Sequence, residues 1–298
     1  MRACPLLRTA AASSLAAATF TVLRQDECVL RYDPASQVAI LSMERHARKN
    51  AIGANFLDCI QQAIAVCVAG APAPAATAAK AADCPPVRCL IVSSAVPKVF
   101  CAGADLKERK DMSVAQSRAF VQRLRQTFND LEDLPIPTIA AIEGKALGGG
   151  MELALALDMR VAGDGAAVGF PETGLAIIPG AGGTVRAPAV LGVSRALELI
   201  LTAEQVSAQR ALELGLVNRV VPAGAALEAA FDLALRIARN GPLGVSAAKR
   251  AVRTSAGKSR DEAMRVEAEQ YEVVLATEDR LEGLKAFAEH RAPVYTGK

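Results

Sequence analysis

The chain has 298 residues, 52% of them apolar and 22% charged, with a formal net charge of +3. This is the make-up of a globular protein with a sizeable core, in one domain with appendages or in two, and it implies no strongly basic surface of the kind nucleic acid selects. Seven cysteines with no Cys-x-x-Cys spacing argue against a disulfide framework, and two histidines, His46 and His290, exclude a histidine-rich metal site.

Residues 1–25 contain Arg2, Arg8 and Arg24 but no acid, among Ala, Ser, Thr and Leu. That composition predicts a mitochondrial transit peptide over 1–26 and a matrix address; a secretory signal is the rival reading, which the dispersed arginines fit less well. No later segment is long and apolar enough to predict a membrane span. Cys28–Tyr32 and Val38–Met43 read as strands around a turn at Asp33–Ser36. Phe56, Ile60, Ile64 and Cys67 recur at helical spacing and predict a helix over 54–68. The Ala/Pro-rich stretch 69–86 reads as a surface loop or flexible insertion.

Val87–Ser93 then reads as a buried strand, and 99–106 as a Gly/Ala loop leading into the charged stretch 107–111. A helix is predicted from Ser117, with Phe120, Val121, Leu124, Phe128, Leu131 and Leu134 in one stripe, and Pro135 and Pro137 end it. Next come a strand at 138–142, the loop Gly148–Gly150, a short apolar helix, and strands near 159–162, 167–170 and 217–221. From residue 224 onward every predicted element is a helix: 224–239, 242–254, 261–276 and 278–290. The fold class is therefore α/β, with a core over 27–223 and a helical C-terminal region over 224–298. No internal sequence repeat of fixed period is present.

Two glutamates stand out. Glu152 lies in ALGGGMELALAL and Glu172 in GFPET, and a carboxylate in such apolar company must be protonated, paired or hydrogen-bonded. Two strand-to-loop-to-helix junctions, at Phe100–Leu106 and Leu147–Gly150, expose backbone N–H groups without intrahelical partners; two such amides aimed at one spot would stabilise an oxyanion. The plainer readings are that the glycines serve tight turns, that Glu152 is a partly buried structural carboxylate sharing a face with Leu155 and Ala156, and that Glu172 is a helix-start acid. The run IPGAGGT (178–184) lacks the Lys-Ser/Thr of a P-loop and the third glycine of a dinucleotide motif.

The segments FCAGADLKE (100–108), AAIEGKALGGGMELALALDMRVA (140–162), FPETGLAIIPGAGGTVR (170–186) and EDRLEGLKAFAEHR (278–291) together resemble the enoyl-CoA hydratase/isomerase, or crotonase, superfamily, from about residue 27 to the end. The branch most similar in appearance is that of mitochondrial 3-methylglutaconyl-CoA hydratases with AU-specific RNA binding. The resemblance implies a spiral of ββα units followed by a helical region, and homotrimers or pairs of trimers. It implies oxyanion-hole amides at Ala104 and Gly149, with Glu152 activating a water and Glu172 supplying the proton to Cα of an enoyl-CoA. No metal or redox cofactor is implied, coenzyme A being part of the substrate.

Along the CoA path the resemblance places Ala102, Asp105 and Leu106, with Arg48, Lys49 and Lys107 as candidate phosphate partners, Gly180 bordering the site, and Phe287 where C-terminal helices close over CoA. His290 departs from the lysine many relatives carry, and Arg291 is a candidate substitute. Both glutamates favour hydration over double-bond isomerisation, which needs only one base. The RNA-binding relatives carry a lysine-rich helix in the early region; here 54–84 has Lys80 as its single Lys or Arg, so no specific nucleic-acid partner is expected.

Overall fold

The computed structural model describes residues 15, 18–19, 21–25, 27–72 and 84–298. Seven strands form the main sheet: β1 (Thr21–Gln25), β2 (Cys28–Asp33), β3 (Val38–Met43), β4 (Cys89–Ser94), β6 (Thr138–Ile142), β8 (Met159–Gly163) and β11 (Arg219–Val221), adjacent in that order. β1 and β2, and β2 and β3, pair antiparallel; from β3 to β11 the pairing is parallel. The strands β3 and β6 are buried on both faces, which is why they read as unbroken apolar runs rather than alternating ones.

A second sheet is built from four three-residue strands, β10 (Gln205–Ser207), β9 (Ala167–Gly169), β7 (Lys145–Leu147) and β5 (Val99–Cys101), adjacent in that order. Each comes shortly after a main-sheet strand for three of the four: β4 hands over to β5, β6 to β7 and β8 to β9. The result is a spiral of strand pairs with helices between them, and the second sheet lies where the parallel strands end, the usual place for a site in such folds.

The helices are α1 (Ala54–Gly70), α2 (Leu106–Lys110), α3 (Val114–Glu132), α4 (Gly149–Ala156), α5 (Gly183–Leu191), α6 (Val193–Thr202), α7 (Ala208–Leu214), α8 (Ala226–Ala238), α9 (Pro242–Ser255), α10 (Arg260–Leu275) and α11 (Glu278–Ala288). On one face of the main sheet α8 sets Ala226, Ala230, Phe231 and Ala234 against Val38, Ile40, Cys89, Ile91 and Ile139. The other face carries the larger core, where Phe56, Ile60, Phe100, Phe128, Met151 and Phe170 bring α1, α3 and α4 together. No helix among the described residues is long and apolar enough to cross a membrane.

Several boundaries differ from the sequence expectation for local reasons. α3 begins a turn early, because Ser113 caps it and Gln116 closes a capping box. The segment 183–214, for which no helix was expected, holds three, of which α5 carries Pro188 in its interior and follows glycines that read as loop. Thr21–Gln25, within the predicted leader, pairs with β2; most of the rest of 1–26 lies outside the described residues. Of the stretch 69–86, residues 73–83 likewise lie outside them, while the Val87 amide donates to the Gly70 carbonyl at 2.7 Å, so the ends of the stretch meet. No disulfide joins the six cysteines among the described residues.

Candidate active site

The site is assembled from loops that three successive handovers leave at one end of the spiral. After β5 the chain runs through Ala102–Asp105, held on both sides: the Ile52 amide donates to the Gly103 carbonyl at 2.8 Å, and the Asp105 amide donates to the Ile52 carbonyl at 3.0 Å. Gly103 has φ +93°, and a Cβ there would lie 2.8 Å from the Leu147 carbonyl oxygen, so only glycine fits this approach. The Asp105 carboxylate caps α2, accepting from the amides of Lys107 and Glu108 at 3.1 and 3.4 Å.

After β7, Gly149 opens α4. The Gly148 amide donates to the Gly169 carbonyl and the Glu152 amide to the Gly148 carbonyl, each at 2.9 Å. Among the described residues the amides of Ala104 and Gly149 donate to nothing. They stand side by side, since a Cβ added to Gly149 would lie 3.4 Å from the Ala104 nitrogen. A Cβ on Gly150 would come within 2.2 Å of the Cys101 carbonyl oxygen, so the glycine run is what lets the helix start press against the β5 loop. Two unused N–H groups, one at a helix N-terminus, are suited to receive a developing negative charge.

Glu152 faces this spot from the first turn of α4 and is only 2% exposed. Its Oε1 accepts from the amides of Ala181 and Gly183 at 2.8 and 2.7 Å. Burial pushes its carboxyl above the usual range, and those two amides, with the charges of Arg186 and Arg125, act in the opposite sense. Glu172 sits in the 3-10 turn Pro171–Leu175 and is 8% exposed. Its Oε2 is buried with no partner among the described residues. Burial first, and the like charge of Glu152 after it, push its carboxyl up to about 7, against a hydrogen bond from its own backbone. Two carboxyls near one another therefore differ: one is held by donors that favour the ionised form, the other has an oxygen that nothing satisfies.

All four groups line one cavity of about 110 Å³. Ala102, Leu106 and Gly180 line it too, so seven of the twelve residues singled out in the sequence converge there. The other five do not. The Asp105 carboxylate serves the scaffold, accepting from Arg45 at 2.9 Å with Arg48 at 3.7 Å. Lys107 is exposed outside the lining, and Lys49, also exposed, contributes through its backbone, its carbonyl accepting from the Ala102 amide at 3.1 Å. Phe287 is 83% exposed and lies outside the cavity. Arg291 is held by Glu282 at 2.6 Å and Glu289 at 2.7 Å.

Sequence reasoning missed the support behind Glu152. Arg186 is buried, and its Nη1 donates to the Ala181 carbonyl at 3.1 Å, its Nε to Glu132 at 2.7 Å and its Nη2 to Asn129 at 2.8 Å. Arg125 donates to the Gly180 carbonyl at 3.0 Å. The turn that grips Glu152 is thus tied to α3 on both sides. The available signal was the GAGGT run opening a helix, which supplies several unpaired amides in sequence.

Residues 34–298 match the family model described as Enoyl-CoA hydratase/isomerase. The chain is 51% identical over 210 residues to the protein named "Probable enoyl-CoA hydratase 2, mitochondrial" of Arabidopsis thaliana, covering 70% of each. It is 40% identical to the methylglutaconyl-CoA hydratase, mitochondrial, of Mus musculus, over 93% of this chain and 86% of that one. Among solved structures it resembles an enoyl-CoA hydratase of Bacillus anthracis, at 41% identity and TM-score 0.81, over 94% of this chain and 99% of that one. With this match along nearly its whole length, on the spiral fold described above, the chain belongs to the enoyl-CoA hydratase/isomerase family.

Proposed function

We propose that the protein adds water across the 2,3 double bond of an enoyl-CoA thioester. The observation that carries this is the meeting, in one cavity, of two buried carboxyls, one held by two backbone donors and one with an oxygen unpartnered among the described residues, and of two adjacent amides that donate to none of those residues. The amides of Ala104 and Gly149 would receive the thioester oxygen as it gains charge, which makes Cβ electrophilic. Glu152, kept receptive by its two backbone donors, takes a proton from water as the oxygen bonds to Cβ. Glu172, readily protonated near neutral pH, gives its proton to Cα. Each turnover leaves Glu152 protonated and Glu172 ionised, and exchange with solvent restores both.

The mouse relative's name makes 3-methylglutaconyl-CoA the first substrate to try. The mitochondrial names of these relatives, with the arginine-containing, acid-free start of the chain, support a matrix location, and the apolar residues exposed on α10 and α11 support a homo-oligomer, a trimer or a pair of trimers.

The test is loss of enoyl absorbance with crotonyl-CoA and 3-methylglutaconyl-CoA. Glu152→Gln and Glu172→Gln should each lower kcat by about 10²–10⁴-fold while the fold is kept. A second reading, double-bond isomerisation, is favoured by Glu172 alone, since one carboxyl titrating near 7 could carry a proton between carbons. Turnover of a 3-enoyl-CoA that survives Glu152→Gln, with no hydration by the unaltered protein, would replace the first reading by the second.

A further inference from the structure

Arg109 is the only cation among the described residues that line the cavity. It is half-buried, and its guanidinium makes no hydrogen bond or ion pair with the described residues. Nearby acids do not neutralise it. Glu108, its neighbour in the chain, is taken by Arg45 at 2.8 Å and by the Ala54 amide at 3.1 Å. The charges bearing on Glu152 are those of Arg186 and Arg125, and the one bearing on Glu172 is that of Glu152; Arg109 is not among them.

Its backbone is nonetheless well placed. The Arg109 amide donates to the Asp105 carbonyl at 3.0 Å, and Arg45 ties both Asp105 and Glu108 of this short helix to the body of the protein. One turn of helix sets Arg109 on the same side as Leu106, which also lines the cavity. Across from them are Val121 and Leu124 of α3, and Val121 abuts Gly180, beside the turn that grips Glu152. This wall therefore belongs to the side on which the glutamates act, where the acyl group must lie. A lone cation at the margin of an otherwise apolar acyl wall favours an anion there, because a guanidinium held without a partner gains most from a planar carboxylate.

We propose that Arg109 is a specificity-determining residue whose guanidinium pairs with a carboxylate at the far end of the acyl chain, making short dicarboxylic enoyl-CoA thioesters the preferred substrates. This rests on the hydratase reading of the site, but binding tests it separately from turnover. Glutaryl-CoA and butyryl-CoA are saturated and cannot react; their dissociation constants are measured by calorimetry on the unaltered protein and on Arg109→Met and Arg109→Lys. Glutaryl-CoA should bind the unaltered protein more tightly, and the ratio of the two constants should fall about tenfold to a hundredfold in Arg109→Met, with part of it kept in Arg109→Lys.

The same ratio should appear in kcat/KM for glutaconyl-CoA against crotonyl-CoA. Equal weakening of both ligands would assign Arg109 to the CoA moiety and overturn the proposal, as would an unchanged ratio or no preference in the unaltered protein. Thermal melting of both variants checks that the fold is kept. A binding preference that depends on Arg109, with no hydration of either enoyl thioester, would uphold the carboxylate subsite and remove the hydratase reading instead.

Discussion

The single unsatisfied oxygen of Glu172 has consequences for both rate and stability. Its carboxyl is raised from an ordinary 4.5 to about 7, so the folded protein binds a proton that the unfolded chain has already lost in that range. The favourable contribution is complete below about pH 4.5 and disappears as pH rises through about 7, a span worth roughly 2–3 kcal/mol. Glu172→Gln keeps the shape without the titration, so the variant should gain stability relative to the unaltered protein between pH 5 and pH 8. Paired urea unfolding curves at those two values would show it, and an equal difference at both would refute it. For the same reason kcat/KM of the unaltered protein should decline on the alkaline side of about pH 7, where the proton donor is lost.

At the scale of elements, α3 and α5 hold Glu152 in place through Arg186. Replacing it by methionine leaves Glu132 with Arg253 at 2.6 Å but frees the Ala181 carbonyl and loosens the turn 181–183. Arg186→Met should therefore cost about 1–3 kcal/mol of stability and lower kcat more than it raises KM. It should also move the acidic limb of the pH–rate profile upward, since a charge that favours ionised Glu152 is gone; a fall in stability with an unmoved profile would reduce Arg186 to a purely structural part. This layer was not legible in the sequence. The glutamates announced themselves by their apolar neighbours, and β3 and β6 by unbroken runs of buried residues. Arg186, by contrast, is one arginine among many until α3 folds against it, and α5 hides behind glycines and an internal proline. Asp105, marked by its motif, has a structural part that the motif did not announce: it caps α2 and holds Arg45.

Over the whole molecule, most main-sheet strands were readable because hydrophobic runs and turn residues agree, and the spiral only through the family resemblance, whereas the terminal helices were readable as helices but not in what they cover. α10 buries none of its residues, and Met264, Tyr271, Leu281, Leu284 and Phe287 are exposed. A surface so apolar suits contact with further copies of the chain. Light scattering should give a mass that is a multiple of the 31.0 kDa chain, and Leu284→Asp should shift it toward that of one chain; a single-chain mass for the unaltered protein would refute assembly through these helices.

The handover of strands from one sheet to the other bears on how the site comes into being. Ala104, Gly149 and Glu172 follow β5, β7 and β9, three neighbours in the second sheet, and each sits on a different coil of the spiral. Nothing in any one coil resembles the finished receptor, so no fragment made early during synthesis can display it. Chemical competence is thus a late product of folding, present only when three coils have stacked.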